Sequence, residues 1–200
     1  MLMLERLRPD WKRLTIHESS PARRGVSTIL ARECPKYTAS QFFPDVVAGE
    51  FREGVRCENI EAFTFDDEVF DIVITQDVME HVFHPWLAHQ QIYRVLRPGG
   101  IHLHTTPVYQ GAHESVCRAE ISEIGEVTYL HPPEYHGNPI DDAGSLVTFL
   151  YCRDLPERIA QWAPFSVEMV TFNDRHHGIL GEFTEVIVAQ KPIPITPAPE

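Results

Sequence analysis

Residues 70–78, FDIVITQDV, constrain the fold more than any other part of the chain. Ile72, Val73 and Ile74 are consecutive and apolar, so a strand here is greasy on both faces, as in a parallel strand covered on both sides. Ala88, Ile92, Val95 and Leu96 then recur at i, i+4, i+7 and i+8, one apolar helical stripe. The helix is expected to stop at RPGG (97–100), with Arg94 and Arg97 at its negative end and glycines at the C-cap. IHLHTTP (101–107) reads as the next strand. Strand, helix and strand in this order make a right-handed βαβ unit.

The rest of the chain extends that unit. RLTIHE (13–18) reads as a short strand, followed by a helix with Ser20 as N-cap and Pro21 at its first position. KYTASQFF and GVRCENIEAF each suggest a further strand. LPERIAQWA reads as a helix, and SVEMVTF and EFTEVIVAQK as a closing antiparallel pair. Between 107 and 146 the periodicity fades into Gly, Pro, His and acidic residues, and loops of that length are usually functional or disordered. The expected organisation is one domain over 1–191, with 107–146 as an insertion or lid and 192–200 as a Pro-rich disordered tail. A length of 200 residues suits a single core.

Composition narrows the function classes. A net charge of −12 lacks the electrostatic footprint of nucleic-acid binding. Arg6, Arg8, Lys12, Arg13, Arg23 and Arg24 form the one basic cluster and read as a solvated face. No apolar run approaches the roughly 20 residues of a membrane span, and the first residues lack the apolar core of a signal peptide. A cytoplasmic location follows as the expectation. Cys34, Cys57, Cys117 and Cys152 form no CxxC pair and read as reduced, mostly buried thiols. Of the 11 histidines, His102 and His104 alternate on one strand as packing residues. No set has metal-ligand spacing, so no metal is expected.

The block FTFDDEVFDIVITQDVMEHV … RVLRPGGIHLHTTP resembles the class I S-adenosylmethionine-dependent methyltransferases of the small-molecule type. In that family a strand ending near "FD-V", an "EHV" turn, a helix ending "RVL-PGG" and a further strand occur in this order. The resemblance implies an α/β fold: a Rossmann-like, seven-stranded, mostly parallel sheet with a C-terminal antiparallel hairpin and helices on both faces. It also implies S-adenosyl-L-methionine lying across the strand C-termini. The family's glycine-rich loop after the first strand is replaced here by HESSPARRG. His17, Glu18, Ser19, Ser20 and Gly25 are therefore the cofactor-binding candidates of that loop, with Glu18, Ser19 and Ser20 supplying side-chain hydrogen bonds in place of bare backbone.

Ser40 or Gln41 stands where the family's ribose-binding acid would be. Asn59 stands where its adenine-contacting Asp would be, with Ile60 as an apolar surface for the ring. Gln76, Asp77 and Val78 end the central strand beside the cofactor. His81, expected to open the following helix, is the candidate general base, since a neutral histidine accepts a hydroxyl proton near pH 7. Glu80 reads as a first-turn residue favoured by the helix dipole. Tyr109, Tyr135, His136 and Asp141 in the insertion, with His177 in the last hairpin connection, are the acceptor-binding candidates.

The implied activity is methyl transfer to a hydroxyl or amine of a small polar acceptor. The alternative is a degenerate methyltransferase-like domain with a binding or regulatory role. The short stretch before the first strand leaves room for a second copy or a partner protein to complete the lid.

Overall fold

The structure is a computed structural model that describes residues 1–22, 24–137 and 143–194. Asp141, one of the acceptor-binding candidates, lies outside them, as do Arg23 and most of the expected tail. In chain order the elements begin with α1 (Leu2–Leu7), a 3₁₀ turn at Trp11–Arg13, β1 (Ile16–Ser19), α2 (Val26–Glu33), β2 (Tyr37–Gln41), β3 (Phe51–Arg52) and β4 (Val55–Cys57). Then come β5 (Phe70–Gln76), a 3₁₀ turn at Met79–His81, α3 (Pro85–Val95) and β6 (Leu96–Thr105). Six short strands follow: β7 (Val108–Tyr109), β8 (Val116–Cys117), β9 (Ala119–Ile121), β10 (Val127–Tyr129), β11 (Tyr135–His136) and β12 (Ser145–Leu146). The chain continues through β13 (Phe149–Cys152), α4 (Leu155–Trp162), β14 (Ser166–Thr171) and β15 (Glu185–Gln190).

The main sheet has eight strands in the order β14-β15-β6-β5-β1-β2-β4-β3. β1 pairs in parallel with both β2 and β5, placing Ile16 beside Tyr37 on one side and Ile72 on the other. β15 runs antiparallel between β6 and β14, the expected hairpin finish. The two-residue β3, antiparallel to β4, adds one strand to the seven expected. Strand order runs outward from β1 through β2 and from β5 through β6 in opposite directions. The crevice at the C-terminal ends of β1 and β5 is therefore the switch point where such sheets bind ligands.

Alternation along the strands divides the core in two. Ile72 and Ile74 face a cluster with Met3, Leu4, Trp11 and Leu30, on the side of α1 and α2. Val73 faces the opposite cluster with Ala88, Ile92, Leu155 and Ile159, on the side of α3 and α4. Both sides of β5 are thus covered by helices, which explains its unbroken apolar run.

Three local expectations are corrected. α2 begins at Val26, with Gly25 as N-cap at φ 56°, five residues beyond the expected Pro21. Ser20 is held outside the helix at φ 54°, its N–H donating to the Ser40 carbonyl at 2.7 Å. RPGG does not cap α3, because the chain leaves the helix at Leu96 and RPGG already lies in β6. The β5–β6 register shifts between Phe70 and Ile72, and a Cβ at Gly100 would come 2.8 Å from the Arg97 carbonyl. Glycine there serves this close approach rather than a helix end. Finally, the stretch after β6 is not patternless. β7, β13 and β8 form a three-stranded sheet that buries Phe149 and Tyr151, and β9–β10 and β11–β12 form two-stranded pairs.

Candidate active site at the strand C-termini

Two backbone positions stand out in the first loop, Ser20 and Gly25. Ser20 adopts the left-handed conformation usually left to glycine. Gly25 has open space around it and opens α2, whose first turn carries no side-chain cap. Free N–H groups at a helix N-terminus suit a carboxylate or another anion. Ser19 is buried in β1.

Several candidate side chains are already engaged with the protein itself. The His17 ring is sealed in the core, 5.1, 4.9 and 5.2 Å from the rings of Phe63, Phe65 and Phe70. Its Nε2 pairs with the Ser40 hydroxyl at 2.8 Å, so neither group is free for a ligand. Burial pushes His17 down to about 3, which keeps it neutral. The Glu18 carboxylate is equally buried and accepts from Ser27 Oγ (2.7 Å), Tyr37 OH (2.6 Å) and Gln76 Nε2 (2.6 Å). It locks β1, α2, β2 and β5 together. Asn59 Oδ1 accepts the Glu61 N–H at 2.9 Å, shaping the turn after β4, and Ile60 belongs to the core beside it. Gln41 ends β2 and is half-buried.

The turn after β5 gathers the strongest constellation. Asp77 leaves the strand at φ 52°, accepting from Thr105 Oγ1 at 3.1 Å, and Val78 packs onto the core. His81 does not open α3 as expected; it closes the 3₁₀ turn, and α3 starts at Pro85. His81 Nδ1 lies 2.9 Å from the Leu146 carbonyl. A carbonyl only accepts, so Nδ1 carries the proton and Nε2 the lone pair. Burial lowers the His81 pKa from the ordinary value, favouring the neutral base.

Its Nε2 lies 3.9 Å from Glu80 Oε1, and His136 Nδ1 lies 4.0 Å from the same oxygen. The rings of His81 and His136 meet edge-on, 5.4 Å apart. Glu80 is 2% exposed, and only its Oε2 is satisfied, by Thr106 Oγ1 at 2.9 Å. Desolvation pushes its carboxyl up to about 7. One ligand atom from each of Glu80, His81 and His136 falls within 4.8 Å of the others, a spacing compatible with holding a cation.

Thr148, just past the expected 107–146 insertion, ties the chain to this turn. Thr148 donates its N–H to the Glu80 carbonyl at 2.8 Å, and its hydroxyl lies 2.7 Å from the Val82 carbonyl. Tyr109 is half-buried, with its ring 5.2 Å from Phe183. Tyr135 is exposed, its hydroxyl 3.5 Å from that of Tyr129. A cavity of about 570 Å³ adjoins the ends of β5 and β6, lined by Gln76, Thr105 and His104 and bounded by α1 and the β14–β15 connection. His177 reaches this cavity, held by Asp174 Oδ2 at 2.8 Å.

The structure therefore brings His81 and His136 together around Glu80, and Gln76 and His177 to one cavity. It does not free His17, Glu18, Ser40 or Asn59. Glu80, read from the sequence as a first-turn residue, is the side chain whose setting the sequence did not reveal. It stood beside His81 in the motif, but only burial by the insertion gives it an unpaired, raised-pKa oxygen.

The fold is the one shared by class I S-adenosylmethionine-dependent methyltransferase domains. The profile of the methyltransferase-domain family matches residues 25–104, from the start of α2 to the end of β6. Among solved structures, the chain is similar to the Burkholderia thailandensis 1,6-didemethyltoxoflavin-N1-methyltransferase, solved with 1,6-didemethyltoxoflavin and S-adenosylhomocysteine. Identity is 14% over 93% of this chain and 75% of that one, with a TM-score of 0.58. An S-adenosylmethionine-dependent methyltransferase from Mesorhizobium loti superposes at TM-score 0.60 with 13% identity, over 94% of this chain and 96% of that one. One from Methanosarcina mazei gives 0.54 and 11%, over 93% and 97%. No curated protein matches the chain by sequence. At these identities the structural likeness carries the fold, and S-adenosylmethionine is the cofactor of the class.

Proposed function

We propose that the chain transfers a methyl group from S-adenosylmethionine to a hydroxyl or amine of a small polar acceptor, with His81 as the proton acceptor. The observation that carries this reading is the His81 tautomer. Leu146 fixes the proton on Nδ1 and leaves a neutral Nε2 beside the Glu80 carboxyl, at the end of the central strand. The first loop fits the cofactor through its backbone, since Ser20 takes the left-handed turn and Gly25 leaves open space. The cofactor supplies the activated methyl group on a sulfonium; the protein supplies position and a base. Nε2 takes the acceptor's proton, and the nearby Glu80 oxygen stabilises the imidazolium that forms. The insertion (107–146), with Tyr109, Tyr135 and His136, covers this mouth and sets acceptor choice. His177 approaches from the cavity side.

A second reading has one observation behind it. His17 Nε2, the Glu18 carboxylate, the Ser40 hydroxyl and Asn59 Oδ1 are engaged within the protein, which suits a degenerate domain that binds without catalysis. Calorimetry separates the two. The enzyme reading expects micromolar binding of S-adenosylmethionine and S-adenosylhomocysteine, tighter than adenosine. No heat and no thermal shift at millimolar cofactor would retire it.

A further inference from the structure

Three histidines from neighbouring elements meet inside the α3–α4 face of the sheet. His102 and His104 share that face because side chains alternate along β6, with Ile101 and Leu103 turned to the other cluster. His89 reaches them from α3. All three side chains are sealed from solvent. Ring centroids are 5.7 Å apart for His89–His102, 5.8 Å for His89–His104 and 4.7 Å for His102–His104. One ligand nitrogen from each lies within 4.8 Å of the others.

The hydrogen bonds sort these nitrogens. His89 Nδ1 donates to the Pro85 carbonyl at 2.8 Å, so its Nε2 bears the lone pair and has no partner. His102 Nε2 pairs with Thr75 Oγ1 at 3.0 Å, while its Nδ1 has no partner. Both nitrogens of His104 are unpartnered. Buried polar atoms are normally satisfied, yet four ring nitrogens in this cluster have no partner. One nitrogen anchored to a carbonyl or hydroxyl, with the other left free, is also how metal-bound histidines are oriented.

We propose that His89, His102 and His104 bind a divalent transition-metal ion of the zinc type, which pins α3 to β6. Imidazole nitrogens suit zinc, cobalt or nickel and disfavour magnesium and calcium. Tetrahedral zinc with bonds of about 2.0–2.1 Å requires nitrogens roughly 3.4 Å apart, so the rings close on the ion by side-chain rotation.

The test uses the full chain, stripped with chelator and titrated with Zn²⁺ or Co²⁺. About one zinc per chain should survive desalting, the cobalt form should show the visible absorption of a tetrahedral site, and melting should rise with either ion. His102→Phe and His104→Leu should each weaken binding by roughly 10-fold or more. Thr75→Val, which removes only the group orienting His102, should weaken it about 10–100-fold in a chain that folds normally by circular dichroism. Absence of zinc retention and of a cobalt band in the folded wild type overturns the proposal. So does binding that survives in a His89→Leu/His102→Phe/His104→Leu variant and disappears in Glu80→Gln/His136→Gln, since the ion would then belong to the site at the strand ends.

Discussion

His81 and Glu80 are adjacent residues that burial pushes in opposite directions on the pH scale. His81 is lowered from its ordinary value, so it is unprotonated and ready to accept at neutral pH. His81→Ala should lower turnover by roughly 10²–10⁴-fold with S-adenosylhomocysteine affinity unchanged, and His81→Gln should do nearly as badly. The wild-type rate should fall on the acid side, below the ordinary histidine pKa, and both variants should lack that limb. Retained turnover in both would mean that positioning alone carries the reaction.

Glu80 makes a prediction about stability. Its folded pKa, about 7, lies above the ordinary 4.5. The folded state therefore holds a proton the unfolded chain releases, and this contribution is full below 4.5 and lost as pH rises through 7. Glu80→Gln should remove that loss, gaining up to about 3 kcal/mol over wild type at pH 8. His17 has the reverse sign, being lowered from 6.5 to about 3. Its contribution is full above 6.5 and lost as pH falls through 3. Urea unfolding across pH 3–8 reads both slopes.

At the scale of elements, the stretch at Leu146–Thr148 is held to the central turn by a few hydrogen bonds. Thr148 binds the backbone of Glu80 and Val82, and Leu146 binds His81. Thr148→Val should cost about 1–3 kcal/mol, the penalty for leaving buried acceptors short of a donor. It should also loosen the wall behind His81, seen as faster hydrogen exchange across residues 145–149. Cofactor with a bound acceptor should slow exchange over 107–137, and an unchanged pattern there would argue against a lid. The same scale explains why the element boundaries moved. Ser20-Pro21 has the local chemistry of a helix start, and RPGG that of a helix stop. Pairing of Ser20 with Ser40, and entry of Leu96 into the sheet beside Phe70, overrode both.

At the scale of the whole molecule, the sheet is stabilised from two sides at once. Ile72 is fully buried against the α1–α2 cluster. Ile72→Ala should destabilise the chain by about 2–5 kcal/mol in denaturant unfolding, lost burial plus a cavity. The sequence by itself determined the strand-helix-strand unit around residues 70–105, the closing hairpin and the layering of helices on both faces. Apolar periodicity is a local property, and it reports which faces must be covered. The family resemblance, not periodicity, marked His81 in the turn after the central strand. Only the tertiary structure decided which polar groups there are free. His17, Glu18, Ser40 and Asn59 carried the right chemistry, yet residues 2 to 58 positions away engage His17 Nε2, the Glu18 carboxylate, the Ser40 hydroxyl and Asn59 Oδ1. Glu80 and His136 meet although 56 residues separate them, and His89 joins His102 and His104 only because α3 folds back over β6. Such convergence follows from register and crossover, which depend on packing across the whole sheet, and no window of neighbouring residues contains it.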